Sequence, residues 1–294
     1  MHVNDIPTPA MLLDIDVLTA NISAMADKAK MLGVRLRPHI KTHKCFNIAR
    51  LQMEHGAAGI TVSTLTEAEE LAKFLSAAPG LQFAGLLTHA GHAYSSKSTT
   101  EIRFIVGEEQ RIMGVFAERL AKQGITVPAV SIGSTPSIAF TTGLQGIDEI
   151  RPGNYVFHDR TQLLLGSCEL GNCAARILTS VISVQPGAGH AVIDAGALAL
   201  SHDPGPTHLG LPASRGALFD LGGKQLDRSL MVDAVSQEHG FVRGQNPADV
   251  ELLKMGERLE ILPNHSCLAA PLFDTYYIVR GDDVVDQWPV MRRR

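Results

Sequence analysis

The chain has 294 residues, 45% of them hydrophobic, and a formal net charge of -4. That length can bury one or two substantial cores, and an acidic balance offers no basic surface for nucleic acid. No apolar run approaches the roughly 18 residues of a membrane span, and the amino terminus MHVNDIPTPA lacks the charged-then-apolar layout of a secretory signal. This predicts a cytoplasmic protein whose partners are small molecules and copies of itself.

In chain order, Asp14 or Asp16 can cap a helix over 17–32, with Leu18, Ile22, Met25 and Ala29 on one stripe and Gly33 as the stop. Strand 34–41 then precedes a helix over 46–55, strand 58–63 a helix over 65–75, and strand 81–89 a long amphipathic helix over 100–123. Strand 127–133 runs into Gly133-Ser134-Thr135-Pro136-Ser137, and a last strand is predicted within 149–158. Strands alternating with helices argue for a parallel sheet with the active groups at its carboxyl edge. From about Cys173 the texture changes to short β-rich segments: 177–184, 191–195, 230–235, 259–262, and a hairpin pairing 275–279 with 284–288 around Gly281-Asp282. These predict a second domain of antiparallel sheet.

Two constellations carry chemistry. Arg37-Pro38-His39-Ile40-Lys41-Thr42-His43-Lys44 ends the first of the alternating strands and delivers an amine to the mouth of the fold. An ε-amine becomes nucleophilic when burial or neighbouring cations favour its neutral form, and His39, His43 and Lys44 are such neighbours. The second is Pro263-Asn264-His265-Ser266-Cys267. On a strand, residues two apart share a face, so His265 and Cys267 would present imidazole and thiolate together, a pair suited to zinc with positions left for water or substrate. Cys45, Cys168, Cys173 and Cys267 show no framework spacing; Cys168 and Cys173 are predicted to be ordinary thiols, with a surface pair between them as the alternative.

Together, and in this order, these motifs resemble the D-serine dehydratase and D-threonine aldolase family, metal-assisted pyridoxal-phosphate enzymes with an alanine racemase-like fold. The resemblance runs through Thr8-Pro9-Ala10, the Lys41 octet, Leu65-Thr66-Glu67-Ala68-Glu69 and Gly91-His92-Ala93. It continues through Gly133-Ser134-Thr135-Pro136, Glu149-Ile150-Arg151-Pro152-Gly153-Asn154-Tyr155, Asp194-Ala195-Gly196, Ser236-Gln237-Glu238-His239-Gly240 and the H-x-C segment. It implies that Lys41 carries the pyridoxal phosphate, with His39 beside it. Gly133, Ser134 and Thr135, in a turn with open N–H groups, and Gly153, Asn154 and Tyr155 would hold the phosphate side, and Arg151 would meet the pyridine nitrogen. His265 and Cys267 would hold zinc, with manganese or another divalent metal as alternatives. A cysteine at the second ligand position looks more like D-serine dehydratase than the aldolases. The implied reaction is D-serine to pyruvate and ammonia, Lys41 removing the α-proton; the alternatives are D-threonine aldolase-like cleavage or a cofactor-binding relative with little catalysis. His89 and His92 are further candidates for contact with cofactor or substrate.

The family fold implies a (β/α)8 barrel of roughly 200 to 250 residues plus a β-domain that borrows the segment 10–13. Only about five parallel strands fit here, so the predicted architecture is α/β: an incomplete TIM-type, alanine racemase-like parallel βα barrel over 14–165, shortened near 71–80. A C-terminal β-rich domain follows over 166–294 and includes 1–13. Five strands are too few to close a packed interior, and an open apolar edge predicts pairing with a second copy, a homodimer.

Overall fold

The computed structural model of the chain describes residues 1–61, 85–122, 126–226 and 230–291. They fall into two compact units. One takes Met1–Thr19, Val156–Leu164 and the chain from Cys168 onward; the other takes Ala20–Tyr155 with Leu165–Ser167.

Strand β1 (Ala10–Asp14) leads into α1 (Ile15–Met31). Asp14 starts this helix by accepting the N–H groups of Asp16 and Val17 on one oxygen, both at 3.0 Å, donors that the first turn otherwise leaves unpaired. Leu18, Ile22 and Ala29 are buried along one stripe, and Gly33 ends the run at φ +69°, a conformation that costs glycine little. There follow β2 (Arg35–Leu36), α2 (Phe46–Glu54), β3 (Leu86–Leu87), α3 (Thr99–Lys122), β4 (Val130–Ile132), α4 (Thr135–Ala139) and β5 (Glu149–Ile150). The four strands make one parallel sheet in the order β2-β5-β4-β3, and Thr61 adds a parallel bridge to His39 beyond β2. Leu36, Val130, Ile132 and Ile150 pack against Ala29, Met113, Ile138 and Leu144 in one core. The other face is polar, with Arg35, Arg37, Ser131, Glu149 and Arg151 lining a cavity of about 470 Å³.

The ladders are shorter than the sequence predicts. Strand 34–41 stops at Leu36, because Pro38 has no N–H to give to a neighbour and Ile40–Thr42 coils into a 3₁₀ turn. Lys41 therefore sits in a turn after the strand rather than at its end. The helix predicted over 65–75 and the interval 71–80 lie outside the described residues, as do 62–63 and 81–84 of the neighbouring strands.

The unit built around the C-terminal half contains α5 (Arg160–Leu164), β6 (Ala175–Gln185), β7 (His190–Ile193), α6 (Ala197–Leu200), β8 (Gly216–Phe219) and β9 (Met231–Val235). It continues with β10 (Gly240–Arg243), β11 (Arg258–Pro263), α7 (Ser266–Ala269), β12 (Thr275–Arg280) and β13 (Asp283–Pro289). Nine strands run in the order β11-β8-β9-β10-β7-β6-β1-β12-β13, and β6 also pairs with β11, closing the first six into a ring without free edges. As the family resemblance implies, β1 joins this sheet. It pairs antiparallel with β6 but parallel with β12, so the sheet is mixed rather than purely antiparallel. Strands β8 and β10 lie outside the predicted segments; each is four residues opening on glycine, too short for a readable alternation. Among the described residues no helix is long and apolar enough to cross a membrane.

Glu260 on β11 is enclosed beside Arg176, with a closest N···O approach of 4.0 Å. Burial, with Asp220, Asp282 and Asp14 nearby, pushes its carboxyl up to about 7, although Arg176 opposes the shift. A carboxyl raised above its unfolded value contributes stability below about pH 4.5 and loses it as pH rises through about 7. Glu260→Gln, neutral throughout, is expected to match the native chain near pH 4 and to exceed it above pH 8 by up to about 3 kcal/mol in urea unfolding. Equal differences at both pH values would refute the assignment.

Candidate active site

The turn bearing Lys41 is pinned from both sides. Ile40 and Thr42 are fully buried, His39 Nδ1 accepts the Lys41 N–H at 3.4 Å, and the Lys41 side chain is exposed. Gly153 makes the tight fit possible: a Cβ there would meet the His39 carbonyl oxygen at 2.7 Å and Thr42 Oγ1 at 3.0 Å. The strand-end segment after β5 can therefore lie directly against the lysine turn. His43 is not the cationic neighbour that the octet suggested. It is fully buried, bonded to Gln52 and to the Cys45 N–H, and burial lowers its pKa to about 3, leaving it neutral. Gln52 passes the chain on to the Tyr155 hydroxyl at 3.1 Å, and burial holds that phenol protonated.

The turn at Gly133, Ser134 and Thr135 also differs from expectation. Two of its N–H groups, those of Gly133 and Ser134, are enclosed and already bonded rather than open. The Ser134 N–H reaches Ser137 Oγ at 2.7 Å, that of Gly133 reaches Glu109 Oε1 at 3.5 Å, and Thr135 Oγ1 accepts the Tyr155 N–H at 3.0 Å. The cause is the capping box that opens α4, in which Ser134 and Ser137 satisfy each other. The Thr135–Tyr155 bond joins the two segments that the resemblance assigns to the phosphate side, and Asn154 between them is buried. Arg151 is buried too, giving Nε to Ser131 Oγ at 2.8 Å and Nη2 to the Thr88 carbonyl at 2.6 Å. His89, one residue on from Thr88, is exposed, with its ring near the Gly133 backbone. Its pKa is lowered by partial burial and then by the charges of Lys41 and Arg151. An accessible amine, an imidazole and a buried guanidinium thus gather on one strand-end cluster, donors that suit a phosphorylated aldehyde.

In the other unit His265 and Cys267 are brought together, but not on a strand. β11 ends at Pro263, His265 is the N-cap of α7 and Cys267 lies in that helix's first turn. Asp159 causes this. Wholly buried, its Oδ2 accepts the Ser266 N–H at 2.9 Å and Ser266 Oγ at 3.3 Å, which starts α7, and its Oδ1 accepts the Gln162 N–H at 2.9 Å, which starts α5. The same Oδ2 lies 3.7 Å from His265 Nδ1. Burial opposes charge on His265, yet a hydrogen bond and the charge of Cys267, joined by Asp159 and Asp203, outweigh it and raise the ring to about 9. A donor set that holds a proton this firmly through one thiol, with a carboxylate behind the imidazole, is chemically suited to a soft divalent cation. Among the described residues no group of three or more such side chains is assembled. Asn264 fixes the approach to the pair, its Nδ2 bonded to the Asp203 and Ser214 carbonyls at 3.0 and 2.6 Å and its Oδ1 to Arg160 at 3.0 Å. Asp159 is the residue that sequence reading missed; an aspartate three residues before Gln162 was its one local signal.

Comparison with known proteins decides the kinship. The family described as alanine racemase, N-terminal domain, matches residues 13–79 and 67–161, and the putative serine dehydratase domain matches 174–279. The chain belongs to the D-serine dehydratase and D-threonine aldolase family. It is an enzyme of the pyridoxal-phosphate-dependent lyase class. It is 28% identical to the D-serine dehydratase of Dictyostelium discoideum, with 96% of each chain covered, and 29% identical to the D-threo-3-hydroxyaspartate dehydratase of Delftia sp. strain HT23, also with 96% of each covered. The solved structure of the Delftia enzyme superposes with a TM-score of 0.91 at 27% identity, covering both chains fully. Structures of that enzyme include one variant with a histidine replaced by alanine and one with the cysteine two positions further on replaced, the latter in a metal-free form. The fold is alanine racemase-like, with a β-rich C-terminal part.

Asp159→Ala removes one acceptor from two helix starts at once. It is expected to lower unfolding free energy by about 2–4 kcal/mol in denaturant titration. A change within experimental error would show that neither cap depends on it.

Proposed function

We propose that this lyase dehydrates D-3-hydroxy amino acids, D-serine to pyruvate and ammonia first among them, with pyridoxal phosphate carried on Lys41 and zinc, or manganese or another divalent metal, held by His265 and Cys267. The observation that carries this reading is the His265–Cys267 pair backed by Asp159, at the spacing of the histidine and cysteine replaced in the Delftia enzyme. When bound, the cofactor ring withdraws electrons from Cα and the divalent ion acts as a Lewis acid toward the departing β-hydroxyl.

The chain's own residues supply the rest. Lys41 Nζ, the exposed group of a buried turn, would take the α-proton of the bound substrate. His39 and Gly153 hold that turn in place, and the Thr135–Tyr155 bond with Gly133, Ser134 and Asn154 shapes the phosphate side. Arg151, kept cationic by Glu149 and Glu109 against the cost of burial, would meet the ring nitrogen. Asp159 orients the His265 imidazole. A second substrate, D-threo-3-hydroxyaspartate, is favoured by the likeness to the Delftia dehydratase. Aldolase-like cleavage ranks behind both, because Cys267 stands where the resemblance assigns the aldolases an aspartate.

The reading includes a barrel short of about three βα units near 71–80 and a homodimer. Supporting the first, the described parallel sheet has four strands, and the alignment to the Dictyostelium enzyme spans 381 residues against the 294 of this chain. The alanine racemase match also comes as two stretches meeting between 67 and 79.

Lys41→Ala is expected to abolish the absorbance of lysine-bound cofactor together with turnover. Cys267→Ala should keep that absorbance and lose at least about 100-fold in pyruvate release from D-serine, an effect that a chelator reproduces in the native enzyme. Full turnover by the Cys267 variant would remove the metal from the reaction.

A further inference from the structure

The ladder between β3 and β4 ends one rung early. Leu86 takes the Ala129 carbonyl and Thr88 N–H reaches the Ser131 carbonyl at 3.1 Å, so the parallel pattern would next place the Gly133 N–H on the Thr88 carbonyl. That rung is divided between two side chains. Arg151 Nη2 gives to the Thr88 carbonyl, and Gly133 gives its N–H to Glu109 Oε1. The same Glu109 oxygen accepts the Ala90 N–H at 3.1 Å, while Oε2 has no hydrogen-bond partner. Glu109 lies on the stripe of α3 that buries Ile102, Ile105, Val106 and Met113, and is itself 6% exposed. An apolar residue there would pack without the cost of enclosing a carboxylate.

We propose that Glu109 is a positioning residue: it holds the N–H groups of Ala90 and Gly133 on one oxygen, splays the ends of β3 and β4, and so sets His89 between Lys41 and the Gly133 turn. His89 immediately precedes Ala90, so fixing the Ala90 amide fixes the backbone from which the imidazole projects. Its ring lies near the Gly133 backbone and within the fields of Lys41 and Arg151. Burial raises the Glu109 carboxyl above its ordinary value, and the N–H groups of Gly133 and Ala90, then Arg151 and His92, offset part of that rise. The proposal rests on the cofactor reading only for its consequence, the affinity for pyridoxal phosphate; the placement of His89 is independent of it.

Three variants test this in the full-length chain. Glu109→Leu removes the acceptor, Glu109→Gln retains one, and Ala90→Pro removes a donor at a φ of -77° that proline adopts without strain. Glu109→Leu is expected to weaken pyridoxal-phosphate binding about tenfold or more, and in cofactor-free protein to move the His89 ring titration, followed by NMR, back toward the ordinary histidine value. Glu109→Gln should restore both and Ala90→Pro should reproduce part of the loss. Native affinity and an unmoved His89 titration in Glu109→Leu would overturn the proposal, as would a glutamine variant no better than leucine. Should the leucine variant fail to fold, Ala90→Pro with an unmoved His89 titration overturns it equally. Failure of the native chain to bind pyridoxal phosphate would sink the cofactor reading while leaving the NMR comparison to decide the placement.

Discussion

A row of charge-assisted hydrogen bonds crosses the four-stranded sheet, and the strand ends depend on it. Arg37 Nε meets Glu149 Oε2 at 2.7 Å, Ser131 Oγ meets Glu149 Oε1 at 3.0 Å, Arg151 Nε meets Ser131 Oγ, and Arg151 Nη2 ends on Thr88. One connected path thus ties β2, β5, β4 and β3 on the face opposite the apolar core. Ladders of two or three residues supply few backbone bonds, so lateral cohesion here falls to side chains. Glu149 is central because, among the described residues, it carries the negative charge between two guanidinium groups, and deleting it would leave Arg151 enclosed with Glu109 as its compensating charge there.

The same economy operates in the other unit through a single carboxylate. Asp159 starts two helices and faces His265, so the orientation of the imidazole is coupled to the capping of α5 and α7. A strand would have presented His265 and Cys267 side by side but with freedom to twist. The helix start fixes them more firmly, since the N-cap residue has an extended backbone, φ -139° and ψ 102°, while Cys267 is already helical. That geometry turns the histidine back toward the thiol one half-turn later. Chemistry that needs both donors on one ion gains from a backbone that cannot slip by a residue.

Much of the architecture was legible because periodicity and punctuation agree. The stripe Leu18, Ile22, Ala29 with Asp14 before it and Gly33 after it located α1 within two residues, and the Gly281-Asp282 turn located the closing hairpin. Legibility failed where a distant side chain overrode the local pattern. Nothing around Pro263 to Cys267 announces a helix start, because the cap comes from Asp159, more than a hundred residues earlier. Nothing in the octet shows that His43 is enclosed and neutral, because its burial is set by α2 and Tyr155. The Lys41 motif was recognisable by its residues, yet its conformation, a turn rather than a strand end, follows from Pro38 and from the fit of Gly153 against His39.

Glu109 illustrates why a helix stripe can hide a functional residue. By its spacing it belongs among the core positions of α3, and a pattern-based reading passes over it as an imperfection in an apolar face. Its meaning appears only with the ladder, since the Gly133 N–H would otherwise have continued β4 along β3 and closed the strand ends together. Ligands of open parallel sheets bind where strands diverge beyond their carboxyl ends. Divergence requires that the freed backbone groups find other partners, because an enclosed N–H without one costs about 1–3 kcal/mol. One carboxylate on a packed helix and one guanidinium from the next strand meet that requirement from opposite sides, which is why the turn of His89 and the turn of Gly133 can stand apart without either being left unsatisfied.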